Sequence, residues 1–297
     1  MNWQRNSNRI MWHRNKASLV STFVLILVFI SCQVKATQIY DTEEDRIIFN
    51  KYKSAMESKR DLPVQELIIE TALFFLGTPY VGATLEKEPE GLVVNLREMD
   101  CTTLVENVIS LARTLKQGNS SYENFCRNLQ QLRYREGMIN DYTDRLHYTT
   151  DWIFVNQRKG LIKDITQEIG GELLPLNLSF MSTHPDSYKQ LKSKPERISI
   201  IRDQEKAINA RTYYYIAEAD IDNLSANMQS GDIVGFVTTI KGLDLSHVGV
   251  IYRKGDKLTF IHASSTAKKV IVNEESLADY VQRIRSNKGI MIIRTQM

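Results

Sequence analysis

Asp100-Cys101-Thr102-Thr103-Leu104-Val105-Glu106 opens the clearest helix of the chain, and it opens it on a cysteine. Leu104, Val105, Val108, Leu111, Ala112 and Leu115 recur at helical spacing as one apolar stripe, which predicts a helix over 101–116. Asp100 suits the N-cap and Gly118 falls just past the end. Cys101 is thereby set in the first turn, where oriented backbone N–H groups lower a thiol pKa and offer an oxyanion site. Asp100 works against that lowering unless its carboxylate turns onto the cap. A neighbouring base must therefore supply much of the activation.

Beyond residue 230 the chain turns to short β-branched runs at 233–239, 248–253, 257–262, 269–272 and 290–295, with turn residues between them. Two of these runs carry histidine, in Ser246-His247-Val248-Gly249-Val250 and in Phe260-Ile261-His262-Ala263-Ser264-Ser265. Arg253-Lys254-Gly255-Asp256 reads as the hairpin turn between them. A two- or four-residue loop centred between Lys254 and Gly255 makes His247 and His262 direct cross-strand partners, with Cβ atoms roughly 4.5–5.5 Å apart. One imidazole can then receive the Cys101 proton while the other orients it. A lone helical cysteine is more often a core residue, and a Cys/His/His zinc site is a rival that no CxxC or HxxxH spacing supports.

The remaining organisation is coarser. Helices are expected within 37–60, from Pro63 to the break at Gly77-Thr78-Pro79-Tyr80, over 122–133 and within 146–159. Residues 119–225 lack strand alternation and read as a mainly α-helical insertion with irregular loops. The fold class is α+β, with residues 37–297 forming one catalytic domain.

Residues 1–36 read as an export signal. Arg5, Arg9, Arg14 and Lys16 precede an apolar run from Leu19 to Ile30, and Val34-Lys35-Ala36 offers small residues for cleavage. The run is short for a membrane span. Cys32 after Ser31 allows a second reading, a lipoprotein signal that ends before a lipid-modified Cys32 and ties the protein to a membrane. Either way the protein is expected outside the cytoplasm, in the periplasm. The signal holds five of the 38 basic residues and none of the 35 acidic ones, so the rest carries 33 against 35, a net charge of −2. That balance gives no support to nucleic-acid binding. Only Cys101 and Cys126 remain after residue 36. A disulfide scaffold normally shows more, and Cys126 reads as inert.

Gly77-Thr78-Pro79-Tyr80, Asp100-Cys101-Thr102-Thr103, Ser246-His247-Val248-Gly249 and His262-Ala263-Ser264 together resemble the NlpC-type, papain-like cell-wall cysteine peptidases. Those enzymes commonly have Asp-Cys-Ser-Gly, whereas this chain has Asp-Cys-Thr-Thr-Leu-Val-Glu. With Tyr134-Arg135-Glu136-Gly137-Met138, Tyr142, Arg145-Leu146-His147-Tyr148 and Asp151-Trp152, the variant resembles the narrower N-acetylmuramoyl-L-alanine amidase-like branch, over roughly residues 63–295.

The resemblance implies a helix-borne Cys packed on an antiparallel sheet, with Cys101 as nucleophile, His247 as base and His262 as orienter, and no metal or other cofactor. It implies peptidoglycan fragments (muropeptides) as substrates, cut between N-acetylmuramic acid and L-alanine. Tyr80 matches a tyrosine that borders the site. Arg145, His147, Asp151 and Trp152 are candidates for the substrate pocket, since aromatic faces suit sugar rings and Arg or His suits carboxylates and hydroxyls. The alternative for these four is a buried polar network bracing the insertion. Two other functions stay open: an endopeptidase cutting after D-glutamate, and a catalytically silent muropeptide-binding lipoprotein.

Overall fold

The computed structural model describes residues 38–297, so the export signal and Cys32 lie outside the described residues. Strand β1 (Ile39–Tyr40) leads into α1 (Glu43–Met56) and α2 (Val64–Phe74). Strand β2 (Leu92–Val93) pairs in parallel with β1 and precedes α3 (Cys101–Lys116) and α4 (Tyr122–Arg133). Next come α5 (Thr149–Arg158), β3 (Ile162–Asp164), β4 (Glu172–Leu174), α6 (Phe180–Thr183), α7 (Pro195–Asn209), β5 (Tyr213–Ala217) and α8 (Ile221–Leu224). The chain closes with β6 (Ile233–Thr238), β7 (Leu245–Lys254), β8 (Lys257–Ser264), β9 (Lys269–Val272), α9 (Leu277–Arg283) and β10 (Asn287–Thr295). The fold is mixed α+β around an antiparallel sheet.

Helix α3 has the predicted bounds because its stripe is buried along its whole length and its start is capped twice. Asp100 Oδ1 accepts from the Thr103 N–H at 2.8 Å, and Thr103 Oγ1 accepts from the Asp100 N–H at 2.9 Å. Helix α4 likewise runs over the expected 122–133.

The main sheet has the order β4-β5-β10-β6-β7-β8-β9, with β3 also on β10. Here the expectation for residues 119–225 needs correction. That region contributes β3, β4 and β5, and both β3 and β5 pair with β10. It is therefore woven into the sheet as well as helical. Strands of three residues are too short to show alternation, although the aromatic run Tyr213-Tyr214-Tyr215 was a usable strand signal.

Two apolar cores lie on the two faces of this sheet. One joins Leu104, Val105 and Val108 of α3 to Val248 and Val250 of β7 and Ile261 of β8. The other joins Phe236, Ile251 and Phe260 to Leu277 and Val281 of α9. Alternation along β7 decides which residues face which core. Among the described residues no helix is long and apolar enough to cross a membrane.

Candidate active site

The cap that starts α3 also holds the Asp100 carboxylate, on the N–H and hydroxyl of Thr103. Its charge still reaches the neighbouring thiol. Burial, and then Asp100, push Cys101 up to about 11, while the Val248 N–H and the Thr102 hydroxyl and N–H pull it back. The expected lowering by the helix start is thus overridden by desolvation. At neutral pH Cys101 is a protonated thiol, so attack requires a base. Its sulfur is 3.9 Å from Thr102 Oγ1, and no hydrogen bond joins it to either imidazole. Both cysteines, Cys101 and the buried Cys126, are free.

The histidines meet, but by a different register from the one expected. Val250 pairs with Ile261 and Lys254 with Lys257, so the two-residue turn is Gly255-Asp256. Gly255 has φ +62°, the left-handed conformation such turns demand. The shift of two residues makes His247 and His262 diagonal neighbours rather than direct partners. A shift by an even number leaves both on the same face, because side chains alternate with period two. Diagonal partners remain within reach of long side chains. His247 Nε2 lies 2.7 Å from His262 Nδ1, with the rings nearly perpendicular.

Two local features bring the rings together. Phe236 pairs with His247 and Val237 with Leu245, so Ser246 is an extra residue, a β-bulge that re-aims His247 at the end of the sheet. Gly249 opposes β8 so closely that a Cβ there would sit 2.9 Å from the Phe260 ring and 3.4 Å from His262 Cβ. Phe236, Phe260 and Tyr280 wall the pair. The histidines thus belong to the α9 face of the sheet and Cys101 comes from the α3 face. They approach one another at the bulged end of β7. Burial lowers His247 to about 4, and burial together with His247 lowers His262 to about 3. Both rings are neutral at pH 7, and Nε2 of His262 is buried without a partner.

Cys101 and His247 line one cleft of about 250 Å³. Tyr142, Tyr148, Tyr188 and Met181 give it an aromatic and apolar wall, and Glu86, Asp244 and Ser246 add polar groups. His247 also borders a wider cavity of about 810 Å³ with His262, Ser264 and Asn287.

The other predicted residues separate. Tyr80 is half-buried and bridges to Met99. Burial, then the charges of Cys101 and Asp100, hold its phenol above the usual range, which marks it as their neighbour. His147 lines the cleft, with Nε2 2.9 Å from the Tyr142 carbonyl and its ring against the Tyr142 ring. Burial, then Arg145, lower it to about 3.

Arg145 does not reach the cleft surface. It is buried and bonded to Glu86, Glu90 and the Leu85 carbonyl at 2.9–3.2 Å. Asp151 is buried between Arg135 and Arg211, each at 2.7 Å. Trp152 does not line the cleft; it borders a separate small cavity that shares Thr102, His147, Thr149 and Val248 with it. Glu106 is paired with Arg133 at 2.6 Å, both fully buried. Sequence reasoning missed Glu86, Met181, Tyr188 and Asp244. Asp244 adjoins the histidine strand and caps α5 through Thr150, which a closer reading of its spacing to His247 would have raised. Met181 and Tyr188 come from a stretch without periodicity, where no local signal existed.

The family model described as AmiA-like, N-acetylmuramoyl-L-alanine amidase-like, matches residues 70–290. Among solved structures, an N-acetylmuramoyl-L-alanine amidase from Bacteroides uniformis is 36% identical, covers 79% of this chain and 99% of its own, and superposes with a TM-score of 0.75. A Bacteroides fragilis protein carrying a provisional xylanase name is 37% identical, with 76% and 100% coverage and a TM-score of 0.72. A Legionella pneumophila protein at 24% identity, with 86% and 95% coverage and a TM-score of 0.63, shares the fold. No curated protein matches the chain with significance.

Proposed function

Because the chain belongs to the N-acetylmuramoyl-L-alanine amidase-like family, we propose that it is a cysteine amidase that cuts the amide between N-acetylmuramic acid and L-alanine in peptidoglycan fragments. The observation that carries this reading is the 2.7 Å His247–His262 pair opening on the cleft that Cys101 lines. We further propose that the core is of the papain-like, NlpC type. A helix-start cysteine beside antiparallel strands that bear a base and then a polar orienter supports it.

In this mechanism His247 Nε2–H donates to His262 Nδ1, which leaves His247 Nδ1 bare for the thiol. His247 removes the Cys101 proton as Sγ attacks the lactyl carbonyl carbon. The tetrahedral oxyanion faces the free amide N–H at the start of α3. His247 then protonates the leaving nitrogen, the C–N bond breaks, and a peptide starting at L-alanine departs. Water, deprotonated by His247, attacks the thioester, and the thiol is restored with release of the glycan carboxylate. With a thiol held high and an imidazole held low, proton transfer accompanies attack instead of preceding it.

A glycosidase, as the Bacteroides fragilis name would suggest for that protein, needs two free carboxyl groups flanking the bond. Here Asp100 is on the helix cap, Asp244 is bonded to Thr150 and Leu245, and Glu86 is paired with Arg145. That occupancy favours the thiol. The basic and apolar start of the chain supports action outside the cytoplasm, in the periplasm, and Cys32 is a candidate for lipid attachment there.

Mass spectrometry of defined muropeptides tests the proposal. The protein should release an intact glycan and a peptide beginning at L-alanine, and Cys101→Ala should lower the rate by about 10⁴-fold or more. Cleavage after D-glutamate would keep the nucleophile and replace the substrate bond. Binding without cleavage would replace the enzyme by a muropeptide binder.

A further inference from the structure

The aromatic and apolar wall of the cleft comes from two stretches of chain, and a third element holds both. Tyr142 and Tyr148 belong to residues 141–148, and Met181 and Tyr188 to residues 178–190. None of the residues of α7 lines the cleft, yet α7 bonds to each stretch. On the first, Gln204 donates to the Thr143 carbonyl at 2.9 Å, and Arg197 is paired with Asp141. On the second, the Asn209 side chain exchanges two bonds with the Leu178 backbone, and Arg197 donates to the Gln190 carbonyl at 3.0 Å.

Glu205 ties the two stretches to each other inside the core. Helix α7 buries Ile201, Glu205 and Ile208. That is the i, i+4, i+7 spacing of an apolar stripe, with a carboxylate in its middle. Glu205 is 2% exposed. Its Oε1 accepts from the Tyr148 hydroxyl at 2.7 Å and from the Ser182 N–H at 3.1 Å. Both donors are neutral, so a carboxylate here costs more than an apolar side chain would.

What the carboxylate secures is the start of α6. The first N–H groups of a helix have no partner within it, and Ser179 supplies no side-chain cap. The Phe180 N–H instead donates to the Gly242 carbonyl at 3.1 Å, the Met181 N–H to the Tyr148 hydroxyl at 3.0 Å, and the Ser182 N–H to Glu205. The Tyr148 hydroxyl thus donates to Glu205 and accepts from Met181. Tyr148 and Met181 both line the cleft. One carboxylate therefore fixes the side chain of one wall residue and the backbone beside another.

We propose that Glu205 is a positioning residue for substrate binding, which sets the cleft wall by holding the Tyr148 hydroxyl and the first turn of α6 in one arrangement. The assignment rests on the reading of this cleft as the one that takes the muropeptide. A wall held before the substrate arrives leaves less ordering to be done on binding, so its loss is read in affinity. Cys101 and His247 are carried by α3 and β7 and keep their own geometry.

The test compares Glu205→Leu, Glu205→Gln and Tyr148→Phe in the full chain. Leucine fills the stripe and removes both acceptor bonds, whereas glutamine keeps an acceptor oxygen and drops the charge. In hydrogen exchange read by mass spectrometry, Glu205→Leu should speed exchange within 178–190 by roughly tenfold or more while peptides of α3 and β7 stay protected. KM for a cleaved muropeptide should rise roughly tenfold, with kcat per reactive Cys101 thiol held within about twofold. Glu205→Gln should bring both readouts to within about threefold of the unsubstituted protein. Tyr148→Phe, which keeps the ring, should move them in the same direction as Glu205→Leu. The double variant should go no further than the larger single one, because both cut one chain of bonds. Should Glu205→Leu fail to fold, Tyr148→Phe and Glu205→Gln read the same bonds.

Unchanged exchange over 178–190 in Glu205→Leu would overturn the proposal. So would a KM that holds while the segment loosens, or a loss of thermal stability with KM and kcat per thiol unchanged, as a purely structural carboxylate would give. Affinity for an N-acetylmuramoyl dipeptide in a Cys101→Ala background reads the wall without cleavage. A different scissile bond, or binding without turnover, would therefore count against the amidase reading alone, and the affinity comparison would still decide the role of Glu205.

Discussion

Two of this molecule's polar clusters differ in one respect. Around Arg145 and Asp151 every charge is answered: Arg145 by Glu86 and Glu90, Asp151 by Arg135 and Arg211. Around His247 and His262 the valences are left open. The two rings satisfy one nitrogen each, one outer nitrogen is buried without a partner, and their pair borders two cavities. A closed network holds structure in place, because breaking it strands a charge in low dielectric. An open one has bonds left for a substrate or a proton. Both clusters are equally polar as sequence, and only the count of partners tells them apart.

The sharpest way to break this contrast is His262→Ala. The open pair should lose its orienter, with kcat falling by roughly 10²–10⁴-fold and little change in thermal stability. A large loss of stability with activity preserved would reverse the roles of the two clusters. Next in size, Arg145→Met strands Glu90 in the interior and should destabilise the fold by about 3–5 kcal/mol, measured by denaturant unfolding, while kcat of the folded fraction holds. A fall in kcat at unchanged stability would return Arg145 to the substrate pocket.

The pH response sharpens the comparison further. A base must be unprotonated to act, and burial keeps His247 so until about 4. kcat/KM should therefore hold level through neutrality and fall as pH drops through about 4, where an ordinary histidine would give a limb near about 6.5. Stability moves in the same sense. The lowered folded pKa values of His247, His262 and His147 mean that the unfolded chain binds more protons below about 6.5, so stability is full above that pH and is lost as pH falls towards about 4. Unfolding midpoints across that range would check it. Smallest of all, Lys163→Ala removes an exposed ion pair with Glu168 and should change stability by no more than about 0.5 kcal/mol.

Much of this was legible in the chain. Helix α3 announced itself because an amphipathic stripe and a capping residue are local signals, and so did α4 and the strands from 233 onward. The two histidines were legible as a pair for the same reason: a hairpin turn ties them together within sixteen residues. The turn's centre was read one residue early, which moves the pairing by two, yet the pair survived, since an even shift keeps both rings on one face.

What the sequence determined by itself was a helix that starts on Cys101, a run of short strands carrying His247 and His262, and a charge balance after residue 36 close to neutral. Tertiary structure alone decided the rest. It wove β3 and β5 of the supposed insertion onto β10, buried the thiol enough to raise its pKa against the pull of its helix, and sorted Arg145 and Asp151 into ion pairs while leaving Trp152 Nε1 without one. Those outcomes depend on desolvation and on partners brought from distant parts of the chain, which no local pattern encodes.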